Sequence, residues 1–230
     1  MRFRALAADF DGTLAKDGVV APSTLDALQR VKGSGRRLLL VTGRAFDELL
    51  EVFPEVSLFD RVVAENGLIL FRPAGHEVLS LAGPPSEQLV EALRSKGVPV
   101  AVGRDIVATV RPHETSVLEA IQELGLELEI VFNKEAVMVL PTGHNKATGL
   151  QRAVEELDLD PASVVGVGDA ENDHAFLELC GFSAAVANSV QALKDHADHV
   201  TQGERGAGVE QLIEALLADD LASVAGAPGP

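Results

Sequence analysis

Residues 3–13 read FRALAADFDGT: Phe3-Arg4-Ala5-Leu6-Ala7-Ala8, then Asp9-Phe10-Asp11-Gly12-Thr13. An apolar run this short is predicted to be a buried strand. It stops at a carboxylate followed by turn residues, so its end meets something other than core. The same grammar returns twice. Arg37–Val41 (RLLLV) runs into Thr42-Gly43-Arg44, and Val164–Val167 runs into Gly168-Asp169. Helical stretches separate these strands, and strand–helix alternation predicts an α/β fold, a Rossmann-like parallel sheet with helices on both faces.

Working outward, Ser23 with Asp26 three residues on is predicted to cap a first helix. Leu25, Leu28 and Val31 supply its apolar face, and Gly33 and Gly35 stop it; with no lysine at Walker spacing, that glycine pair is not a phosphate loop. A second helix is predicted from Arg44 to Pro54. Arg61–Ala64 and Leu68–Phe71 flank Asn66-Gly67, a hairpin signal. The alternation breaks after Pro84-Pro85. Helices over 86–96 and 113–124 are each followed by two extended segments, with turns at Arg104-Asp105 and Asn133-Lys134. Helix-strand-strand twice over predicts an antiparallel sheet with both helices on one face. Residues 83–141 are therefore expected to form an inserted α+β cap domain. Residues 1–82 and 142–220 form one discontinuous core domain, ending in a helix from Gly208 to Ala218, and 221–230 a flexible tail.

Composition narrows the function. The 230 residues carry 19 basic and 35 acidic side chains, a net charge of −16, which repels nucleic acid in the absence of a basic stripe. Nine Phe without Trp or Tyr leave little to stack on single-stranded bases. One cysteine, Cys180, cannot form an internal bridge and reads as a small buried residue. No apolar leader opens the chain, and no uncharged stretch is long enough to span a bilayer. The expectation is a cytoplasmic protein with neither a nucleic acid nor a membrane partner.

In an open parallel sheet, ligands bind beyond the carboxyl ends of the strands, so the three polar clusters should converge on one crevice. Asp9, Asp11, Asp169 and Asp173 would then crowd carboxylates whose ordinary pKa is about 3.9. A hard divalent cation such as Mg²⁺ relieves that repulsion. The Thr42 hydroxyl and the amides of Gly43 and Arg44, at a helix start, make a place for an anion. Lys146 falls in a helix's first turn, where the macrodipole disfavours it, and so requires an anionic partner. Each feature alone is commonplace; their order along one chain points to phosphate.

DFDGTL at 9–14, TGR at 42–44, Lys146 and GDAEND at 168–173 resemble, in that order, the four motifs of the haloacid dehalogenase superfamily of phosphohydrolases. The insertion between the second and third motifs is similar to the Cof-type members with an α/β (type IIB) cap. So are AVAN at 185–188 and ALKDHADHVT at 192–201. The compact cap and the spacing from Lys146 to Asp169 resemble the small archaeal-type phosphoglycolate phosphatases. The resemblance implies Asp9 as nucleophile, forming an aspartyl-phosphate, and Asp11 as general acid and then base. It implies Mg²⁺ on Asp9, the Asp11 carbonyl and Asp169, with Asp173 as a further ligand or as an anchor. Thr42, Gly43, Lys146 and Asn172 would hold the phosphoryl group, and Arg44 either touches it or stays solvated. The chain departs from the pattern at Asn145-Lys146-Ala147, where Cof-type proteins often carry Ser-Lys-Gly; Asn145 can still cap the helix.

The implied substrate is a small phosphorylated metabolite, with phosphoglycolate or a sugar phosphate as leading candidates. Arg104, Arg111, His113 and Lys134 are the cap's polar candidates for its recognition; no histidine is expected to be catalytic. A phosphomutase or phosphotransferase of the same superfamily, and a non-enzymatic phospho-aspartate regulatory module, are the alternatives. Neither the identity of the ester nor the oligomeric state is legible in these residues.

Overall fold

In the computed structural model, which describes residues 1–224, the opening apolar run forms β1 (Ala5–Ala8), buried on both faces. β2 (Ala15–Lys16) and β3 (Val19–Val20) form a small hairpin that leads into α1 (Pro22–Gly33). β4 (Arg37–Val41), α2 (Phe46–Val52), β5 (Arg61–Ala64), β6 (Ile69–Arg72) and β7 (Glu77–Ser80) follow. The inserted unit is α3 (Glu87–Ser95), β8 (Ala101–Val102), β9 (Val107–Val110), α4 (Glu114–Leu124), β10 (Leu128–Asn133) and β11 (Ala136–Pro141). The chain then returns through α5 (Lys146–Glu156), β12 (Val164–Gly168), α6 (His174–Leu179), β13 (Phe182–Ala185), α7 (Gln191–Lys194), β14 (His199–Val200) and α8 (Arg205–Asp219).

The main sheet runs β14-β13-β12-β1-β4-β5-β6-β7. Its strands are parallel from β14 to β5, and the hairpin predicted around Asn66-Gly67 adds β6 and β7 antiparallel. Alternation of side chains sorts the core into two layers. Leu6, Ala8, Leu38 and Leu40 face the layer of α1 and α8, while Ala7, Leu39 and Val41 face Leu150, Ala153 and Phe176 of α5 and α6. A strand clad on both faces has no solvent side, which is why RLLLV shows no polar alternation. Truncating a buried leucine such as Leu39 to alanine is worth roughly 2–5 kcal/mol in such a site.

The inserted unit has its own antiparallel sheet, β10-β11-β9-β8. Leu89, Leu93, Val117 and Ile121 of its helices pack on one face with Val107 and Val139. Met138 and Ala108, with Ile106 of the β8–β9 turn, meet Leu68 of the main unit on the other.

Four local expectations differ. Ser23 is not a cap: Ala21 precedes Pro22 at the first helical position, and the Ser23 hydroxyl donates to Glu210 instead. Proline's fixed φ starts that helix without a side-chain cap. α2 begins at Phe46 rather than Arg44, which keeps Arg44 in the loop. α8 begins at Arg205, ahead of Gly208, because tertiary packing overrides the poor helix propensity of Gly206 and Gly208. Finally, Leu221 is fully buried and Val224 packs beside it, so the core continues past 220. Asp220 closes α8 in a left-handed turn that folds Leu221 back onto the core. The rest of the expected tail, 225–230, lies outside the described residues.

Candidate active site

β12, β1 and β4 are neighbours, so the residues that follow them emerge side by side. Asp9 follows β1, Asp169 follows β12, and Asp173 lies one short turn further on. All three are buried, and they present carboxylate oxygens within 4.8 Å of one another. Lys146 stands among them. Its Nζ donates to Asp9 Oδ1 and to Asp173 Oδ1, each at 2.6 Å, and the side chain is wholly buried against the Phe176 ring. Asn145 positions it: its side chain accepts the Thr148 amide, and the Thr148 hydroxyl accepts the Asn145 amide, closing a capping box. The lysine that the macrodipole disfavours thus has two anionic partners.

Both carboxylate oxygens of Asp173 have partners within the protein. Its Oδ1 takes Lys146, and its Oδ2 accepts the amides of Asp169 (2.8 Å) and Ala170 (2.9 Å). Asp169 is held by the Thr13 hydroxyl at 3.2 Å, the Asn188 amide at 3.4 Å and the Lys134 ammonium, which reaches in from the β10–β11 turn. Burial pushes Asp9 well above the usual carboxylate range; Asp173 and Asp169 add to that, and Lys146 opposes it. Burial also raises Asp169, against the pull of Lys134. For Lys146 burial favours the neutral form, but Asp173 and Asp9 outweigh it and hold the ammonium above its ordinary value. Three clustered carboxylates against two ammonium groups leave negative charge in excess. The donors are all hard oxygens, and the cluster already draws a cation from the inserted unit; both features suit a divalent ion such as Mg²⁺.

Asp11 lies at the mouth. Arg44 grips it in a two-pronged fork, Nε to Oδ2 at 2.9 Å and Nη2 to Oδ1 at 2.6 Å. The Asp11 bond raises Arg44 further above its ordinary value. Thr42 is buried, and its hydroxyl accepts the Arg44 amide at 3.1 Å. That amide is therefore not open to an anion as the sequence suggested, since the helix starts two residues later. The Gly43 amide donates to no protein acceptor among the described residues. Asn172 donates to Asn66 Oδ1 at 2.8 Å directly above Gly43, where a Cβ would sit 3.3 Å from Asn172 Nδ2. Asn66 Nδ2 and Asn172 Oδ1 are buried without partners, so this pair has hydrogen-bonding capacity to spare.

A cavity of about 300 Å³ joins Asp11, Gly43 and Arg44 to the inserted unit, which contributes Gly103, Ile106 and Met138 to its walls. Of the polar candidates on that unit, Lys134 reaches the acids. Arg104 instead pairs with Asp47, and Arg111 lies over Phe132. His113 precedes α4 without a side-chain cap bond. Sequence reasoning read Asn66 only as a turn residue and passed over Glu65. Yet Glu65-Asn66-Gly67 ends a strand in a polar cluster, the signal used for the other three.

The parallel sheet, its acidic crevice with a buried lysine, and the unit inserted over it define a capped hydrolase. The model of the haloacid dehalogenase-like hydrolases matches residues 6–114 and 111–213, and the chain belongs to that family, as a phosphatase. A phosphoglycolate phosphatase of Haloarcula marismortui is 32% identical over 220 residues, covering 90% of this chain and 95% of that protein. One from Methanothermobacter thermautotrophicus is 26% identical over 229 residues, covering 93% and 99%. Among solved structures, Thermoplasma acidophilum 0175 superimposes with a TM-score of 0.79 at 18% identity, covering 94% of this chain and 98% of its own. The HAD subclass IIB sugar phosphatase BT4131 gives 0.73 at 20% identity, covering 93% and 98%. Both share the fold.

Proposed function

We propose that the protein hydrolyses a small phosphate monoester with Mg²⁺, through a phosphoryl group carried on Asp9, and that 2-phosphoglycolate is its substrate. The observation that carries the chemistry is the Asp9–Lys146–Asp173 chain of contacts at the ends of adjacent strands. Lys146 occupies one oxygen of Asp9, and the other makes no hydrogen bond among the described residues. That oxygen attacks phosphorus, the ester P–O bond breaks, and Asp11 gives the leaving oxygen its proton. Asp11 then takes a proton from water, which attacks the same phosphorus and breaks the bond to Asp9, releasing phosphate. Thr42, Gly43, Lys146 and Asn172 hold the charge of the transferring group. Asp9, the Asp11 carbonyl and Asp169 would hold Mg²⁺, which offsets repulsion between carboxylate and phosphate oxygens. Asp173 anchors Asp169 and Lys146 rather than the ion, since its oxygens are taken by the buried Lys146 and by two backbone amides, whereas on Asp169 the ion would take the place of the Lys134 ammonium.

Two things support the substrate. The relatives at 26–32% identity are phosphoglycolate phosphatases. The wall of the small cavity also carries one cation, Arg44, beside Asp11 and Glu48; its fork holds Asp11 through Nε and Nη2, which leaves Nη1 to meet a carboxylate on the leaving group. A sugar phosphate is the competing ester. A screen of phosphorylated metabolites with an inorganic phosphate readout tests the proposal. The highest kcat/KM is expected for 2-phosphoglycolate; preference for a sugar phosphate would overturn the substrate, and no phosphate release from any ester would overturn the reaction.

A further inference from the structure

Glu65 is a fully buried carboxylate that the proposed chemistry does not use, and it makes no ion pair among the described residues. Backbone donors compensate it. Its Oε1 accepts the amides of Phe46 (3.1 Å) and Arg104 (2.9 Å), and its Oε2 those of Asp105 (2.7 Å) and Ile106 (3.0 Å). A buried charge is tolerated when it is satisfied in this way. Three of the four donors belong to the β8–β9 turn of the cap, whereas Glu65 and Phe46 belong to the core. The turn is not an incidental neighbour: Gly103 and Ile106 wall the cavity beside Asp11 and Arg44.

The loop that carries Glu65 is tied to the phosphate side as well. Glu65 and Asn66 both adopt left-handed backbone, φ 51° and 57°, a conformation that persists only where its surroundings enforce it. The Glu65 amide donates to the Arg44 carbonyl and the Asn66 amide to the Thr42 carbonyl, each at 3.0 Å. One short loop therefore grips the cap turn with a side chain and the Thr42–Arg44 segment with its backbone. The Arg104 side chain also links the turn to α2, lying over the Phe46 ring at 4.9 Å and pairing with Asp47, but that ion pair is exposed and contributes little.

We propose that Glu65 is a positioning residue. It fixes the cap turn 103–106 at a set height over the Thr42–Arg44 loop, and so determines which leaving groups the cavity accepts. The statement about leaving groups rests on the phosphatase reading above; the latch itself does not.

Two variants approach the latch from opposite sides. Glu65→Gln keeps the shape but turns an N–H₂ toward backbone donors. Gly103→Ala leaves Glu65 intact but places a methyl 2.7 Å from its Oε1 and 2.8 Å from Ile106 Cγ2. Amide hydrogen exchange is followed at Arg104, Asp105 and Ile106, with β9 as the internal reference. kcat and KM are measured for 2-phosphoglycolate and for p-nitrophenyl phosphate. Exchange at the three amides is expected to rise at least tenfold in both variants while β9 is unchanged. The ratio of kcat/KM between the two esters should shift at least fivefold, and the double variant should do no more than either single one, because both break the same contact. Unchanged exchange at the turn, or equal loss on both esters, would overturn the proposal. If the parent protein released phosphate from neither ester, the substrate reading and the statement about leaving groups would fall, and the exchange comparison would still decide the latch.

Discussion

Lys146 and Asp9, 137 positions apart in the chain, meet inside the protein with Nζ 2.6 Å from Oδ1. The same ammonium holds Asp173 at the same distance. One side chain from the first turn of α5 thus fixes the acids at the ends of two strands. It supplies the positive charge that lets buried carboxylates stand together.

Lys146→Met should therefore destabilise the protein as well as inactivate it. Removing one partner from a buried ionic cluster costs roughly 3–5 kcal/mol, because the remaining charges lose their compensation. At about 2–4 °C per kcal/mol for a chain of this size, the thermal midpoint should fall by roughly 6–20 °C. Mg²⁺ should recover more of the midpoint in the variant than it adds to the parent. A midpoint within 2 °C of the parent's would show that the lysine's charge is not what holds the cluster.

Asp9→Asn separates chemistry from structure. The amide oxygen can still accept from Lys146, so circular dichroism and the thermal midpoint should stay close to the parent's. Turnover should vanish, since an amide does not form the phosphoryl intermediate. Activity within about tenfold, or about 1.4 kcal/mol in barrier, would remove Asp9 from the nucleophile's role.

Metal dependence follows from the surplus of negative charge around Asp169. Exhaustive chelation should abolish phosphate release, and Mg²⁺ should restore it. Full turnover in excess chelator would refute the proposed role of the ion.

How much of this was legible in the sequence depended on range. The apolar runs gave the central strands, and the doubled helix-strand-strand pattern gave the cap, because both are local signals. The β2–β3 hairpin was not legible, since two-residue strands leave no period to detect. β7 was missed because its side chains are largely exposed. Within the site, Asp9, Asp169 and Lys146 stood out by their places at strand ends and a helix start. The Arg44 fork on Asp11 did not, because it depends on where a loop carries a long side chain. Glu65 escaped for a related reason: its partners are backbone amides 19 to 41 residues away, which no residue type marks.

Away from the site, Glu156 gives a pH test of the fold. Arg72 first, with Arg61, pulls its carboxyl down from 4.5 to about 2. A depressed folded-state pKa means stabilisation that is complete above the unfolded value near 4.5 and is lost as pH falls toward 2. Glu156→Gln should therefore lower the urea midpoint at pH 7, by an amount equivalent to roughly 1 kcal/mol after screening. The gap to the parent should narrow steadily below pH 4.5. A gap that stays constant from pH 7 to 3 would mean that the ion pairs with Arg72 and Arg61 contribute nothing.

Asp11 decides between an enzyme that turns over and a module that merely holds a phosphoryl group. If Asp11 moves the proton, Asp11→Asn should impair both the departure of the leaving group and the activation of water, each by roughly 10²–10⁴-fold. Mg²⁺ binding should survive, because the ion would use the backbone carbonyl of this residue. The Arg44 fork would lose an anionic partner at 2.6 Å, which frees the guanidinium without disturbing the buried acids. An aryl phosphate needs little protonation of its leaving group, so its first step should be spared while hydrolysis of the phosphoryl group on Asp9 stays slow. The variant should then release a burst of aryl alcohol near one equivalent of enzyme, followed by slow release of phosphate. Equal losses on aryl and alkyl esters, with no burst, would make Asp11 a structural partner of Arg44 and nothing more. The burst is the expected result, since Asp11 lies at the cavity mouth beside the Gly43 loop, where a leaving oxygen would depart.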